Sequence, residues 1–284
     1  NDLAGALDVI HADAWFRAMQ VVGRHPPWYA DLLVEYGVTP EVAEALGCRS
    51  PGRRPSLPGS STCHPVSGMT WEELWGLCPR DTQAAIFAFY REIGSWATFR
   101  QAYYHRWRSW GFVARHLGRH DTLVEYGAGI APASYWIASR SEGRRYLLAD
   151  VPSEHFLFGI RRMRRLGADF GSVVIRPNQL PRLPGCEVAL LFEVLEHTPS
   201  PLAVIQHVGA VVKPGGVLIE NFYAHAHPTA ADLDSAEHER PAVYAWLNRN
   251  FRLISGQHWD APEGGGTRAW RATMNLLDNM ESVA

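Results

Sequence analysis

The chain has 284 residues, of which 46% are hydrophobic, a formal net charge of −2 and an isoelectric point near 6.7. That is material for a sizeable core, arranged as one large domain or as a main domain with an appendage. The charge provides no global basic field of the kind that attracts nucleic acid, no run is long and apolar enough to span a bilayer, and the N-terminus carries no signal-peptide pattern. A cytoplasmic protein with a small-molecule substrate and neither a nucleic-acid nor a membrane partner is the expectation; a homodimer stays open. Lys213 is the only lysine, so arginine supplies the rest of the positive charge. That bias is expected of a GC-rich genome and points towards specialised metabolism. The cysteines, Cys48, Cys63, Cys78 and Cys186, include no C-x-x-C pair, so reduced structural thiols are expected and no metal site is assigned, although three of them share the N-terminal region with His64.

The first 119 residues read as helical. Leu3, Leu7, Ile10, Ala14 and Met19 recur near i+3 and i+4, and residues 28–36 and 40–46 read as two further short helices. Residues 49–68, rich in Pro, Ser, Gly and Arg, read as a loop. Thr70 with Glu73 three residues later reads as a capping box opening the next helix. From Asp81 to Leu117 the pattern is helical and dense in aromatics, and Gly118 is placed to end it.

From His120 the rhythm changes to alternating strands and helices. Strands are expected at Leu123–Glu125, Arg145–Leu148, Ser172–Ile175, Val188–Phe192 and Val217–Phe222. The fourth is wholly apolar, as a strand buried on both faces is. Leu202–Val212 and Asp232–Asn248 read as helices, with Lys213-Pro214-Gly215-Gly216 as the turn before the fifth strand. Residues 251–259 and 267–275 flank Glu263-Gly264-Gly265-Gly266 as a closing hairpin. The fold class expected is a doubly wound α/β sheet of seven mostly parallel strands with an antiparallel C-terminal hairpin (residues 120–284), carrying an N-terminal helical cap (residues 1–119).

Ligands in such sheets sit outside the carboxyl ends of the strands, and four signals converge there. Glu125-Tyr126-Gly127-Ala128-Gly129 follows the first strand, a glycine turn expected to bring backbone N–H groups and a helix end near a ligand. Asp150 ends the second strand, where an acid holds ribose hydroxyls or merely shapes the turn into Val151-Pro152-Ser153. Asn178-Gln179 follows the third strand, as an adenine contact or a turn. Phe192-Glu193-Val194-Leu195-Glu196-His197 leaves the fourth. There Glu193 lines a pocket or faces water, and Glu196 and His197 act in chemistry or orient the next helix.

On these residues the chain resembles the class I S-adenosylmethionine-dependent methyltransferases. Their acid-x-Gly-x-Gly motif is matched by Glu125, Gly127 and Gly129, and their second-strand acid by Asp150. Their Leu-Glu-His signature is matched by Leu195-Glu196-His197 with Pro201 beyond, and their Lys-Pro-Gly-Gly turn by Lys213–Gly216. Where many members carry a third glycine, this chain has Ile130-Ala131-Pro132. The resemblance spans about His120 to the C-terminus and implies S-adenosyl-L-methionine as cofactor. It places the contacts at Glu125, Tyr126, Gly127, Ala128, Gly129, Asp150, Val151, Asn178, Gln179, Phe192 and Glu193. A dinucleotide site shares the first turn, but its Gly-x-x-Gly completion is missing.

Methyl transfer to oxygen or nitrogen needs alignment and often a base, for which histidine is suited near neutral pH. His197, Tyr223, His225 and, from the cap, Tyr104 are the candidates. His225-x-His227 reads equally as loop structure, substrate contact or part of a metal site. In Phe99–Trp107, core packing accounts for most aromatics, while Tyr103, Tyr104 and His105 are placed to face a sulfonium or substrate. Two other readings stay open: an enzyme that cyclises the cofactor itself, releasing methylthioadenosine, and a non-catalytic cofactor-binding subunit.

Overall fold

The computed structural model describes residues 75–78, 80–92, 98, 101, 105, 109–222, 232–256 and 267–273. In chain order the elements are α1 (Gln83–Glu92), α2 (Gly111–Ala114), β1 (Thr122–Tyr126), α3 (Pro132–Ala138), β2 (Arg145–Asp150), α4 (Glu154–Arg165) and β3 (Asp169–Val174). There follow β4 (Cys186–Leu191), a 3-10 turn (Leu195–His197), α5 (Pro201–Ala210), β5 (Val212–Glu220), α6 (Asp234–Asn250), β6 (Phe251–Ser255) and β7 (Arg268–Ala272). They form one seven-stranded sheet in the order β3-β2-β1-β4-β5-β7-β6. Neighbours are parallel up to β5, and β7 pairs antiparallel with β5 and β6. The expected sheet and closing hairpin are therefore present.

Side chains alternate across a strand, and that alternation divides the core in two. Val124, Tyr126, Ala189, Leu191 and Leu218 face one layer with α5 and α6. Leu123, Leu148, Val188, Leu190 and Ile219 face the other, with α3 and α4. β1 lies between β2 and β4, and all five of its residues are buried. Edge strand β3 is largely exposed, which accounts for its mixed sequence.

Two boundaries differ from expectation. Lys213–Gly216 is not a turn ahead of β5 but an interruption within it. Cys186 pairs with Val212 and Val188 with Val217, so the intervening residues bulge from the ladder. The expected long helix over residues 81–117 is broken, because Ser109 and Trp110 stand outside helix before α2.

At the far side of the sheet, Glu220 at the end of β5 is fully buried. It accepts from Trp270 Nε1 (2.9 Å) and from the Phe222 N–H (2.7 Å), and lies 3.5 Å from Arg268 Nη1. The Tyr244 hydroxyl donates to the Phe222 carbonyl at 2.7 Å and accepts from Arg268 Nη1 at 2.7 Å. This network joins β5, β7 and α6 and holds the tip of β5 where Asn221 enters the site.

Candidate functional site

A cavity of about 290 Å³ opens at the carboxyl ends of the parallel strands. Tyr126 and Gly127 border it from β1, Asp150 and Val151 from β2, Ile175 after β3, and Glu193, Val194 and His197 after β4. The opposite wall comes from residues ahead of β1: Gln83, Ile86, Phe87 and Tyr90 of α1, with Gln101 and His105. No Arg or Lys borders the cavity among the described residues.

The glycine turn is built by its environment. Gly127 has φ +67°, and a Cβ there would lie 2.3 Å from Val194 Cγ2, so only glycine satisfies both backbone and packing. The position after Ile130, where a third glycine would stand, is Ala131 with φ +53°. An alanine pays about 1–2 kcal/mol in that region, offset here by complete burial of its methyl group.

The expected nest of free N–H groups is absent. Gly127 and Ala128 donate to the Ala149 carbonyl at 2.8 and 3.1 Å. Gly129 donates to Asp150 Oδ2, and Ile130 to Gln101 Oε1 at 3.3 Å. Ala131 donates to Ala128, and Tyr135 to Ala131. Ala133 and Ser134 donate to the two oxygens of Glu125, at 3.2 and 2.9 Å. Pro132 has no N–H, so every donor from Gly127 to Tyr135 is taken within the protein.

Several of the expected site residues lie away from the cavity. Glu125 is buried beneath α3 and caps it with both oxygens, so it does not border the cavity; burial raises its pKa against those hydrogen bonds. Ala128 and Gly129 turn their N–H groups inward and do not border it either. Phe192 packs edge-on against Trp110, ring centroids 5.1 Å apart, on the other core layer. Asn178 and Gln179 are exposed. Asn178 is tied by its own N–H to Gln83 Oε1, and Ile175 occupies the wall instead.

Seven expected residues do come together: His105, Tyr126, Gly127, Asp150, Val151, Glu193 and His197. Asp150 accepts from Gly129 N–H and, at 2.6 Å, from Val151 N–H. Its burial nevertheless pushes the carboxyl pKa up to about 7. Burial, with Asp150 nearby, also raises the Tyr126 phenol. Glu193 has φ +58° and is clamped by Asn221: its N–H donates to Asn221 Oδ1 at 2.7 Å, and Asn221 Nδ2 donates to Glu193 Oε1. His197 stands edge-on to Trp75 at 5.9 Å. Behind them Glu196 is buried, and desolvation, reinforced by Glu193, raises its pKa well above the usual carboxylate range.

Tyr104, Tyr223, His225 and His227 lie outside the described residues, as do Cys48, Cys63 and His64. Cys78 and Cys186 are buried free thiols. Among the described residues no group of three or more His, Cys, Asp or Glu side chains is disposed to hold a metal ion, and no helix is long and apolar enough to cross a membrane.

Sequence reasoning missed Asn221, His155, Gln101's contact with the turn, and Gly159. A Cβ on Gly159 would lie 2.6 Å from the Gly129 carbonyl, so this glycine lets α4 close on the turn. A glycine inside a helical pattern is a signal that could have found it.

No family model and no curated protein matches the sequence. Among solved structures, the chain is similar to the O-methyltransferase TomG from Streptomyces achromogenes, at 15% identity over 58% of this chain and 78% of that one, with a TM-score of 0.42. It is similar to the N-methyltransferase NodS from Bradyrhizobium japonicum WM9, at 15% identity over 58% and 93% with a TM-score of 0.43. A SAM-dependent methyltransferase from Methanosarcina mazei aligns at 14% identity over 57% and 97%, with a TM-score of 0.42.

Proposed function

We propose that this chain is an S-adenosylmethionine-dependent methyltransferase acting on a small, specialised-metabolite acceptor, with its N-terminal stretch (residues 1–119) serving as cap and recognition unit. The observation that carries the reading is the pairing of Asp150 at the β2 tip with a glycine turn whose N–H donors are all taken. A dinucleotide places its pyrophosphate on free donors at such a turn. This turn has none to offer, and no Arg or Lys in the described wall replaces them. A nucleoside without phosphate fits, and the motif resemblance names one with a sulfonium.

In this reading Asp150 accepts from the ribose hydroxyls, and Glu193, held by Asn221, meets the ammonium of the methionine arm. Tyr126, Gly127 and Val151 shape the wall between them. When bound, the sulfonium supplies an electrophilic methyl group that leaves with the acceptor's lone pair as the carbon–sulfur bond electrons return to sulfur. His197 takes the acceptor proton, and Tyr104, Tyr223 and His225 are proposed as further acceptor contacts. Cap residues such as Phe87 and Tyr90 exclude water, which keeps the charges in low dielectric.

The alternative readings are cyclisation of the cofactor itself, with which Ile130-Ala131-Pro132 in place of a third glycine is compatible, and a non-catalytic cofactor-binding subunit. One experiment separates these readings. Purified protein is incubated with S-adenosylmethionine, alone and with fractionated small-molecule extract, and products are read by mass spectrometry. Adenosylhomocysteine formed only with extract is the expected result. Methylthioadenosine formed without acceptor overturns it in favour of cyclisation, and tight binding with neither product assigns a non-catalytic subunit.

A further inference from the structure

The cavity wall contains an imidazole that no step above uses. His155 lies in the first turn of α4, within the same connection that leaves Asp150. Ser153 caps that turn, its hydroxyl accepting from Phe156 N–H at 3.3 Å, so the backbone at His155 is held in place. The side chain is only 2% exposed. It borders the cavity together with Asp150, Val151 and Tyr90, and the Tyr90 ring stands edge-on to it at 6.0 Å. Its Nδ1 is buried and has no hydrogen-bond partner among the described residues.

A side chain kept here for packing alone would be leucine or phenylalanine, because a buried polar nitrogen without a partner is costly and rare. Burial keeps the ring neutral, with a pKa pushed down to about 4. At neutral pH it therefore carries one N–H donor and one bare acceptor. Asp150 supplies only acceptors, and each of its oxygens already takes one backbone N–H. A sugar diol held by Asp150 alone would have its donors satisfied and its oxygens without one. His155, whose ring can carry such a donor, borders the same cavity.

We propose that His155 is a second ribose-binding residue, donating to a hydroxyl oxygen of the nucleoside sugar beside Asp150. The assignment rests on the nucleoside reading of the cavity. It specifies a ribonucleoside and makes the sugar, rather than the acceptor, the group that His155 recognises.

The test is calorimetric titration of adenosine, 2′-deoxyadenosine and 3′-deoxyadenosine into the full chain and into His155→Leu and His155→Gln, with thermal midpoints of the unliganded proteins. His155→Leu is expected to weaken adenosine about tenfold, the worth of one hydrogen bond. It should also erase the preference over one of the two deoxynucleosides and leave the unliganded midpoint equal or higher. Gln, which keeps a donor, should recover part of the affinity. If His155→Leu lowers the midpoint but leaves the ribose-to-deoxyribose ratio intact, His155 is a packing residue and the assignment falls. If the ratio and the midpoint both stay unchanged, the sugar lies elsewhere and it falls as well. If the unaltered chain binds no nucleoside at all, the nucleoside site itself is removed, and this assignment with it.

Discussion

Glu220 ends β5 and Glu196 follows the neighbouring β4, both are at most 2% exposed, and burial raises the pKa of both. Their surroundings are opposite. Glu220 meets Arg268, Trp270 and the Phe222 N–H, a set of donors converging on one carboxylate. Glu196 has an oxygen with no partner among the described residues. Its neighbours Glu193 and Asp232 disfavour its charge, against a weaker opposing influence from Arg240. Burial alone therefore does not separate scaffold from site. The balance of donors does: a satisfied carboxylate holds strands together, whereas Glu196, buried behind the cavity wall, lacks such a set of donors.

The largest effect should come from breaking the satisfied network. Arg268→Met leaves a buried glutamate without its cation and is expected to cost about 3–5 kcal/mol in chemical denaturation. The double variant with Glu220→Gln should lose less than the sum of the two single changes, since both report one interaction. A loss below about 1 kcal/mol for Arg268→Met would show that the remaining donors suffice.

Next comes the ligand side. Asp150→Asn is expected to weaken adenosine tenfold or more, because a bond to a charged acceptor is worth about 1.5–3 kcal/mol. The unliganded carboxyl titrates near 7, and the ionised form is the better acceptor. Wild-type affinity should therefore climb between pH 6 and 8 while the variant stays flat. Stability runs the other way. A carboxyl whose folded pKa is raised stabilises the fold below its unfolded value of about 4, and that contribution is lost as pH rises through about 7. The unliganded wild type should thus lose ground to the variant across that window in thermal melts. Equal pH profiles for the two proteins would remove Asp150 from both roles.

The smallest and most discriminating change is Glu196→Gln. Its folded pKa is also raised, so its stabilising contribution is present at low pH and falls as pH passes upward through the folded value. The neutral amide is expected to stay within about 1 kcal/mol of wild type at pH 5 and to gain on it as pH rises. Glu220→Gln, by contrast, should already sit below wild type at pH 5, since it gives up an acceptor that its donors need, although the raised pKa of Glu220 lets the variant regain part of that loss as pH rises. Parallel behaviour of the two variants would erase the distinction drawn between the two glutamates.

Several of these features are legible in the chain itself. Alternating apolar positions place Val124 and Leu123 on opposite layers, and the apolar run at β4 marks a strand buried on both faces. Asp150 and Gly127 announce themselves by residue type at strand ends. The same parity that places Leu190 also places Phe192 away from the cavity, so that correction was available from period-two reasoning. Glu193 shares the parity of Leu191, whose layer borders the cavity, but its left-handed backbone is signalled by no local pattern. Asn178 has the right residue type in the right connection, but its tip faces solvent. The Lys213–Gly216 segment has the composition of a turn and is a bulge within β5, a distinction that depends on pairing with Cys186 and Val188.

The sequence by itself determined the layer architecture, the strand tips that carry the site and the acidic and glycine residues standing there, because these follow from periodicity, residue size and backbone preference over short stretches. Only the tertiary structure decided which of those groups remain free for a ligand. The N–H donors of the glycine turn are consumed by Ala149 and Asp150 on the adjacent strand, by Glu125 beneath α3 and by Gln101 of the cap. The Nδ1 of His155 is left without a partner by the packing around it. Hydrogen-bond satisfaction is a property of whole neighbourhoods, assembled here from residues far apart in the chain, and no single stretch of sequence contains it.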